Sequence, residues 1–471
     1  PFLLVLFPPI ADLSQHAAQI RLFLEALRDP ASPYVVQWLT PYGLSYLVLG
    51  MSWAAFGPIH AGRIGALALA LMWVGAVHWL AWRRQRSLAA ATLASALVFN
   101  HTLYWGFLSF VAGWPLFALW LEETEGARAR SWSPATGLRL LGCGALLYFT
   151  HALWFAVAGL WLALRGLVDR LPWKVQLLRV ASLTPVALVA LLWFPRLAER
   201  RFKTPPQWVV GPLQRLSPSE ILNATLGGLY GFTEWLMLGL LLGWVFIGVA
   251  YHRRQWLARA DRGLLMASGL FFALYVFLPD KYMNTIQFGQ RWLPFAAVCL
   301  LVASPPPPLR SGFRRAIAIA VLAAFCAATA LTWTTFERVE LAGLRQALEA
   351  LPPAPRVLGL DYVRHSPRIK ESPFLQGFAW AQVWKGGELN FSFADFAPSL
   401  VVYRVPRVPP WTFALEWRPF AVRVSDFQHF DFVILHGDEA AHVQVATRGN
   451  FEAVTKTRPW ALYRVAKPPP Q

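Results

Sequence analysis

The stretch "LFPPIADLSQHAAQIRLFLEAL", residues 6–27, decides how the rest of the chain is read. An apolar run stops at Pro8-Pro9, and an acid and a histidine follow four residues apart, Asp12 and His16. Leu13, Ala17, Ile20, Leu24 and Leu27 then recur at helical spacing, which predicts an amphipathic helix over 13–28 lying in a membrane interface. Two readings of Asp12 stay open on local sequence. Asp12 with Gln15 makes a capping-box-like start, in which the carboxylate accepts from first-turn amides and His16 is an ordinary polar-face residue. Alternatively Asp12, His16 and Gln19 share one helix face and begin a site.

Composition sets the surroundings. Of 471 residues, 56% are hydrophobic and only 14% charged, and mean hydropathy is +0.42, the balance of a multi-spanning membrane protein. The formal net charge of +18 then belongs to loops that meet anionic headgroups; no nucleic-acid motif is present. Cys143, Cys299 and Cys326 lie inside apolar runs, so they imply neither a disulfide framework nor a zinc site. The apolar run before Pro8 is about half of the ~20 residues a spanning helix needs, and reads as a truncated first transmembrane helix.

Further apolar runs lie near residues 64–82, 87–100, 106–121, 136–150, 152–168, 177–195, 235–251, 263–279, 292–304 and 314–334. With the truncated first helix they predict an all-α polytopic bundle of about 11 transmembrane helices over residues 1–334. Residues 41–58, interrupted by Gly and Pro, read as part of an outer loop (11–58) with interfacial helices, or as a further span. Alternate loops carry "RRQR" (83–86), "EGARAR" (125–130), "RGLVDRLPWK" (165–174), "HRRQWLARADR" (252–262) and "LRSGFRR" (309–315). Keeping 41–58 out of the membrane puts all five in the cytoplasm and the tail, 335–471, outside it. The tail changes character: an amphipathic helix over 338–352 leads into strand-like runs at 356–360, 399–404, 430–437 and 460–465, a small extracytoplasmic α/β domain. No internal repeat of 20–50 residues is evident.

Cations on the outer side break the charge rule and so invite a reason. "RLAERRFKTPPQW" (196–208) places Arg196, Arg200, Arg201 and Lys203 there, and "LPDKYMNTIQFGQRW" (278–292) adds Lys281, with Tyr282 beside it, and Arg291. A phosphate-bearing substrate is one reason, since Arg grips phosphate bidentately; lipid headgroups are another. Arg291 stands alone at an apolar helix start, where a cation is costly unless paired or wet. His151 in "LYFTHALWF" and Asn100-His101 in "VFNHTLYWGF" sit at outer helix ends facing the same region, with Tyr104 and Trp105 read as interfacial belt residues.

A truncated first span, an acid just beyond it, an outer interfacial helix, some ten further spans and a soluble outer tail together resemble the GT-C class of membrane glycosyltransferases. The segments "PPIADLSQHAAQ", "NHTLYWGFLSFVAGWPLFALWL", "YFTHALWF" and "WALYRV" are similar to a largely uncharacterised bacterial group assigned to that superfamily. The resemblance implies an inner-membrane enzyme that moves a sugar from a polyprenyl-phosphate carrier to a lipid, glycan or protein acceptor. Asp12 would be the general base, with His16 orienting it or sharing its proton. Arg291, Arg200, Arg201 and Lys203 would hold the phosphate, and His151, Asn100, His101, Lys281 and Tyr282 would line the site. Many members carry two acids in the first outer loop, and some hold a divalent cation such as Mg or Mn. Here Asp12 has no adjacent acid, and Glu25 is several turns away, so a metal would lack ligands. A lipid-linked glycan ligase, a flippase or transporter, and a non-catalytic assembly subunit are the rival readings. Convergence of Asp12, His151 and Arg291 on one cavity is the arrangement that separates them.

Overall fold

The computed structural model describes residues 1–125, 131–199, 205–283, 285–455 and 457–466. Helices that are long and apolar enough to cross a bilayer are α2 (Gly43–Arg83), the run Phe232–Arg259 and the helix Ser311–Val339. A fourth span is added if Trp173–Ala181 and Thr184–Pro195, bent by 48°, count as one. Among the described residues the expected eleven is therefore not reached by length. Other apolar helices, such as Ala152–Val168 and Arg262–Phe277, fall in the 10–17 residue class, because polar junctions cut the runs short of the ~20 residues a straight span needs. Residues 41–58 are neither a separate span nor a detached interfacial helix. They form the first limb of α2, which turns at Gly57, whose φ of 74° suits glycine, and at Pro58. Exposed Leu71, Met72, Phe246, Ile247, Ile319 and Leu331 give the helices the apolar exterior that lipid would cover.

One end of the bundle is a polar layer. Arg84 binds Glu122 and Glu125 and lies 3.7 Å from Asp261, while Arg86 donates to the carbonyls of Val302, Arg259 and Ala303. The described cationic loops gather here. The other end carries the tail.

The first ten residues do not form the end of a helix. Pro8 and Pro9 lack amide donors, and the preceding turns are instead pinned by Glu337, whose Oε1 accepts from the amides of Leu6 and Phe7 at 2.6 and 2.8 Å. Helix α1 (Leu13–Arg28) forms where the apolar spacing places it, but it does not lie at a lipid surface. Its apolar side packs on α2, and its polar side is buried under the tail. Gln15 donates to Gln376 Oε1 at 2.9 Å and accepts from the Phe393 amide at 3.0 Å. Gln19 makes the same two-way bond with the Val401 backbone, at 3.1 and 2.8 Å. Both glutamines are fully buried, so each amide group must be satisfied by protein, and each is.

The tail is a five-stranded sheet of order β3-β2-β5-β7-β6, and a two-stranded ribbon lies apart from it. The ribbon joins β1 (Tyr34–Val36), just after α1, to β4 (Val401–Tyr403), antiparallel with Tyr34 opposite Tyr403. In the main sheet β2 (Arg356–Asp361) runs parallel to β3 (Glu388–Leu389) and to β5 (Phe432–His436), while β7 (Trp460–Val465) is antiparallel to β5 and to β6 (Phe451–Ala453). The run at 399–404 is thus a strand, but its partner belongs to the segment between α1 and α2 and not to the sheet. At the carboxyl ends of β2 and β5, His436 donates to Asp361 at 2.7 Å and stacks on Trp460 with centroids 4.3 Å apart. After β2 the chain makes a strap, 362–376, across the membrane helices. Lys370 ties it down by a 2.9 Å ion pair to buried Glu234, whose Oε1 also accepts from the amides of Gly228 and Leu229 at 2.7 Å. Leu229 and Ile369 add an isolated antiparallel bridge.

Candidate active site

The segment "NHTLYWGF", 100–107, builds the cradle around Asp12. Asn100 caps the short helix His101–Trp105, its Oδ1 accepting from Thr102 and Leu103 at 2.9 and 3.2 Å, while its amide donates to Leu97 O at 2.6 Å. Gly106 ends that helix at φ 86°. The free carbonyls of Tyr104 and Trp105 then accept from the amides of Ala11 and Asp12 at 2.8 and 3.3 Å. A Cβ on Gly106 would come within 2.7 Å of the Asp12 nitrogen, so close approach and left-handed backbone both require glycine. Tyr104 and Trp105 are buried parts of this cradle and not belt residues.

Held by its backbone, Asp12 keeps its carboxylate free. It occupies the N-cap position of α1 yet makes no side-chain cap hydrogen bond, and Gln15 is engaged with the tail, so no capping box forms. Burial pushes the Asp12 carboxyl up from its ordinary 3.8 to about 7, while part of the side chain stays open to solvent. His16 does not share its proton. Its Nε2–H donates to Gly106 O at 2.9 Å, which leaves Nδ1 to accept from the Tyr46 hydroxyl at 2.9 Å. Burial lowers this imidazole to about 4, so it is a neutral strut between α1, α2 and the cradle. Tyr46 carries the connection onward, feeling the charge of Asp12 and lying next in line to Tyr42.

Arg291 stands at the other end of the same group. It is 2% exposed, and no described carboxylate lies within salt-bridge reach. Two carbonyls, Ile286 O at 2.6 Å and Gln287 O at 3.2 Å, and the ring faces of Phe107 and Phe110 at 4.3 and 5.0 Å compensate it in part. Burial brings its guanidinium down to about 10, with Tyr42 acting the other way. A desolvated cation without a counter-ion is a strong attractor for an anion that can reach it. His151 faces the same place. Its Nδ1 accepts from the Leu153 amide at 3.1 Å, so Nε2 bears the proton, and the ring meets Tyr42 and Phe110 edge-on at 5.0 and 5.3 Å. Burial and the neighbouring Arg291 both hold it neutral. Arg291, His151 and Tyr42 thus gather about Phe107 and Phe110, and the backbone of Asp12 is held by the same segment at Trp105 and Gly106.

Several expected lining residues lie elsewhere or have other tasks. Asn100 serves as a cap, with its Oδ1 engaged by the Thr102 and Leu103 amides and one amide hydrogen on Leu97 O, and it is fully buried. His101 donates from Nδ1 to Ala224 O at 2.7 Å and is fully enclosed, and burial, with the charge of Arg291 adding to it, lowers its imidazole to about 3. Lys281 and Tyr282 stand on an exposed turn, where they meet Gln207 and Phe288 and not the Arg291 group. Arg200, Arg201 and Lys203 lie outside the described residues.

One acid was missed by sequence reasoning. Glu371, on the strap from the tail, accepts from Gln287 Nε2 at 3.2 Å, and the Trp105 indole lies alongside. Burial pushes it up to about 7, held back by these donors. Glu371 and Gln287 both have left-handed backbones, φ 63° and 51°, a costly conformation for non-glycine residues that tends to collect at working sites. Through Gln287 and Ile286 the strap touches the loop that clamps Arg291, and through Leu375 and Ala11 it touches the turn that carries Asp12. A second acid therefore comes from the far end of the chain. It does not complete a metal site: among the described residues no three His, Cys, Asp or Glu side chains gather, and His16 has both nitrogens engaged. Mg or Mn would find too few oxygen ligands here.

No protein-family model matches the chain, and no curated protein matches it in sequence. In fold it is similar to the crystal structure of ArnT from Cupriavidus metallidurans in the apo state, a GT-C glycosyltransferase, with a TM-score of 0.53 and 12% identity over 98% of this chain and 95% of that one. Identity that low carries the fold alone. The two chains share an overall fold along nearly their full lengths, in keeping with the sequence resemblance.

Proposed function

We propose that the chain is an integral inner-membrane glycosyltransferase that moves a sugar from a polyprenyl-phosphate donor to a lipid, glycan or protein acceptor on the extracytoplasmic face, where the tail would sit. The observation that carries this reading is an uncapped carboxylate, Asp12, and a buried arginine with no carboxylate in salt-bridge reach among the described residues, Arg291, both held by the segment 105–110. Asp12 takes the proton of the acceptor hydroxyl as that oxygen bonds to the anomeric carbon. The bond from the anomeric carbon to the phosphate oxygen breaks, and its electron pair leaves with the polyprenyl phosphate. Arg291 and the Nε2–H of His151 stabilise the charge that grows on that phosphate. Tyr46 and His16 position Asp12 without exchanging its proton. Glu371 faces the acceptor side, and the strap that bears it selects what enters. No step calls for a metal.

The test is transfer from a labelled polyprenyl-phosphate sugar in membranes containing wild type or Asp12→Asn. Equal insertion with abolished transfer is expected, and the wild-type rate should rise with pH through about 7, as Asp12 loses its proton. Undiminished transfer by the variant would sink the role of Asp12.

A further inference from the structure

At the end of the bundle away from the tail, a cleft of about 760 Å³ opens between the turn after α2, the end of the helix Phe232–His252 and the segment Pro305–Pro308. Arg86, Arg259, Arg314 and Arg315 line it, and no Asp or Glu does among the described residues. The nearest acids are already committed: Glu122 and Glu125 to Arg84, and Asp261 to capping the helix Arg262–Phe277 through the Leu264 amide at 2.9 Å. The cleft is built, not incidental. Arg86 is a strut with all three nitrogens on backbone carbonyls, and Arg314 donates to Pro307 O at 3.1 Å while keeping other donors free. Behind it, Gly248 lets the helix close onto the proline segment; a Cβ there would sit 2.1 Å from Pro305 O. A run of four prolines has no backbone donor of its own and a fixed φ, so the wall is stiff.

Its rim is apolar and aromatic. Trp82 and Tyr251 are 59% and 61% exposed, and Leu88 is beside them. Such residues belong at headgroup depth. A free anion would have no use for that rim, whereas a lipid would lay its acyl chains along it. We propose that this cleft is a binding site for the headgroup of an anionic phospholipid, its phosphodiesters gripped by Arg314, Arg315 and Arg259 on the fixed strut of Arg86. The inference rests on the membrane location of the chain and is independent of the transfer chemistry at Asp12.

The experiment uses the full chain in detergent, with retained lipid counted by native mass spectrometry after mixing with phosphatidylcholine alone or with added diphosphatidylglycerol. Wild type should retain the anionic lipid, and Arg314→Gln/Arg315→Gln should weaken retention by about tenfold or more, from roughly the loss of two favourable surface charges. Arg254→Gln/Arg262→Gln removes two exposed cations from the same end outside the cleft, and should retain lipid as wild type does. Equal loss in both pairs would mean general charge attraction and overturn the site. Displacement of the lipid by equimolar inorganic phosphate would mean a free-anion site and overturn the lipid assignment. Transfer activity is not the readout, so failure here leaves the proposed transferase reading untouched, and the reverse holds.

Discussion

Replacing Asp12 by Asn should make the protein more stable while abolishing its activity. On folding the carboxyl moves from 3.8 to about 7, so the native state binds that proton more tightly than the unfolded chain. The sign follows directly: the ionised form is disfavoured by the fold, so Asp12 subtracts stability as pH climbs between those values, and by its full amount above 7. The difference is worth about 4 kcal/mol as an upper bound. Because part of the side chain is open to solvent, about 2 kcal/mol is a fairer figure. Asn is nearly the same size and carries no charge, so it removes the penalty. In detergent-solubilised protein the Tm of Asp12→Asn at pH 8.5 should exceed that of wild type by roughly 2–5 °C, and the gap should shrink by more than half at pH 5. A helix cap behaves differently: Asn caps about as well as Asp, so at a capping position the substitution would leave Tm nearly unchanged at every pH. A lower Tm for the variant at pH 8.5, or equal Tm at every pH, would refute the description of Asp12 as a buried, uncapped base.

Arg291→Gln should cut transfer by roughly 100- to 1,000-fold, as expected when a donor to a developing oxyanion is lost, with Tm unchanged or raised; a large drop in Tm would mean the guanidinium is structural. Glu371→Gln should raise the acceptor KM by about tenfold and leave donor consumption in the absence of acceptor unaltered, a split that steady-state kinetics with acceptor titration would measure; an effect on donor use alone would remove it from the acceptor side. Asn100→Ala should cost about 1–2 kcal/mol through the lost cap, read as a lower Tm, with normal transfer per folded molecule; lost transfer at unaltered Tm would return Asn100 to the substrate.

Local periodicity made α1 legible to the residue: of the five apolar positions at helical spacing, Leu13, Ala17 and Ile20 are buried, while Leu24 and Leu27 open toward the end of the helix. What it buries against was not legible. Gln15 and Gln19 look like a wet polar face, and become core only because backbone groups near residues 376, 393 and 401 satisfy them. The tail strands at 356, 432 and 460 announced themselves by β-branched and aromatic runs, whereas β1 and β3, of three and two residues, are too short to do so. The count of eleven spans is not confirmed for a related reason. Hydropathy marks apolar runs, but among the described residues several of them form helices of 10–17 residues, short of the ~20 that a straight span needs. Within the site, Arg291 was readable as a lone cation at a helix start. His16 and Asn100 misled because a side chain that serves structure and one that serves substrate have the same letters; only the partners of their nitrogens tell them apart. Glu371 carried no signal at all beyond being an acid in "RIKESPF".

The ribbon between Tyr34–Val36 and Val401–Tyr403 bears on biosynthesis. A ribosome makes α1 and the Asp12 turn well before the groups near residues 376, 393 and 401 that satisfy Gln15 and Gln19, and before the strap that carries Glu371. Until then the helices have reason to insert, but the segment that holds α1 lacks the partners that bury its polar face. Closure of this region therefore waits for the tail to be made. A product stalled before the tail would lack these contacts, and one that includes it would gain the partners of Gln15 and Gln19 and Glu371 together.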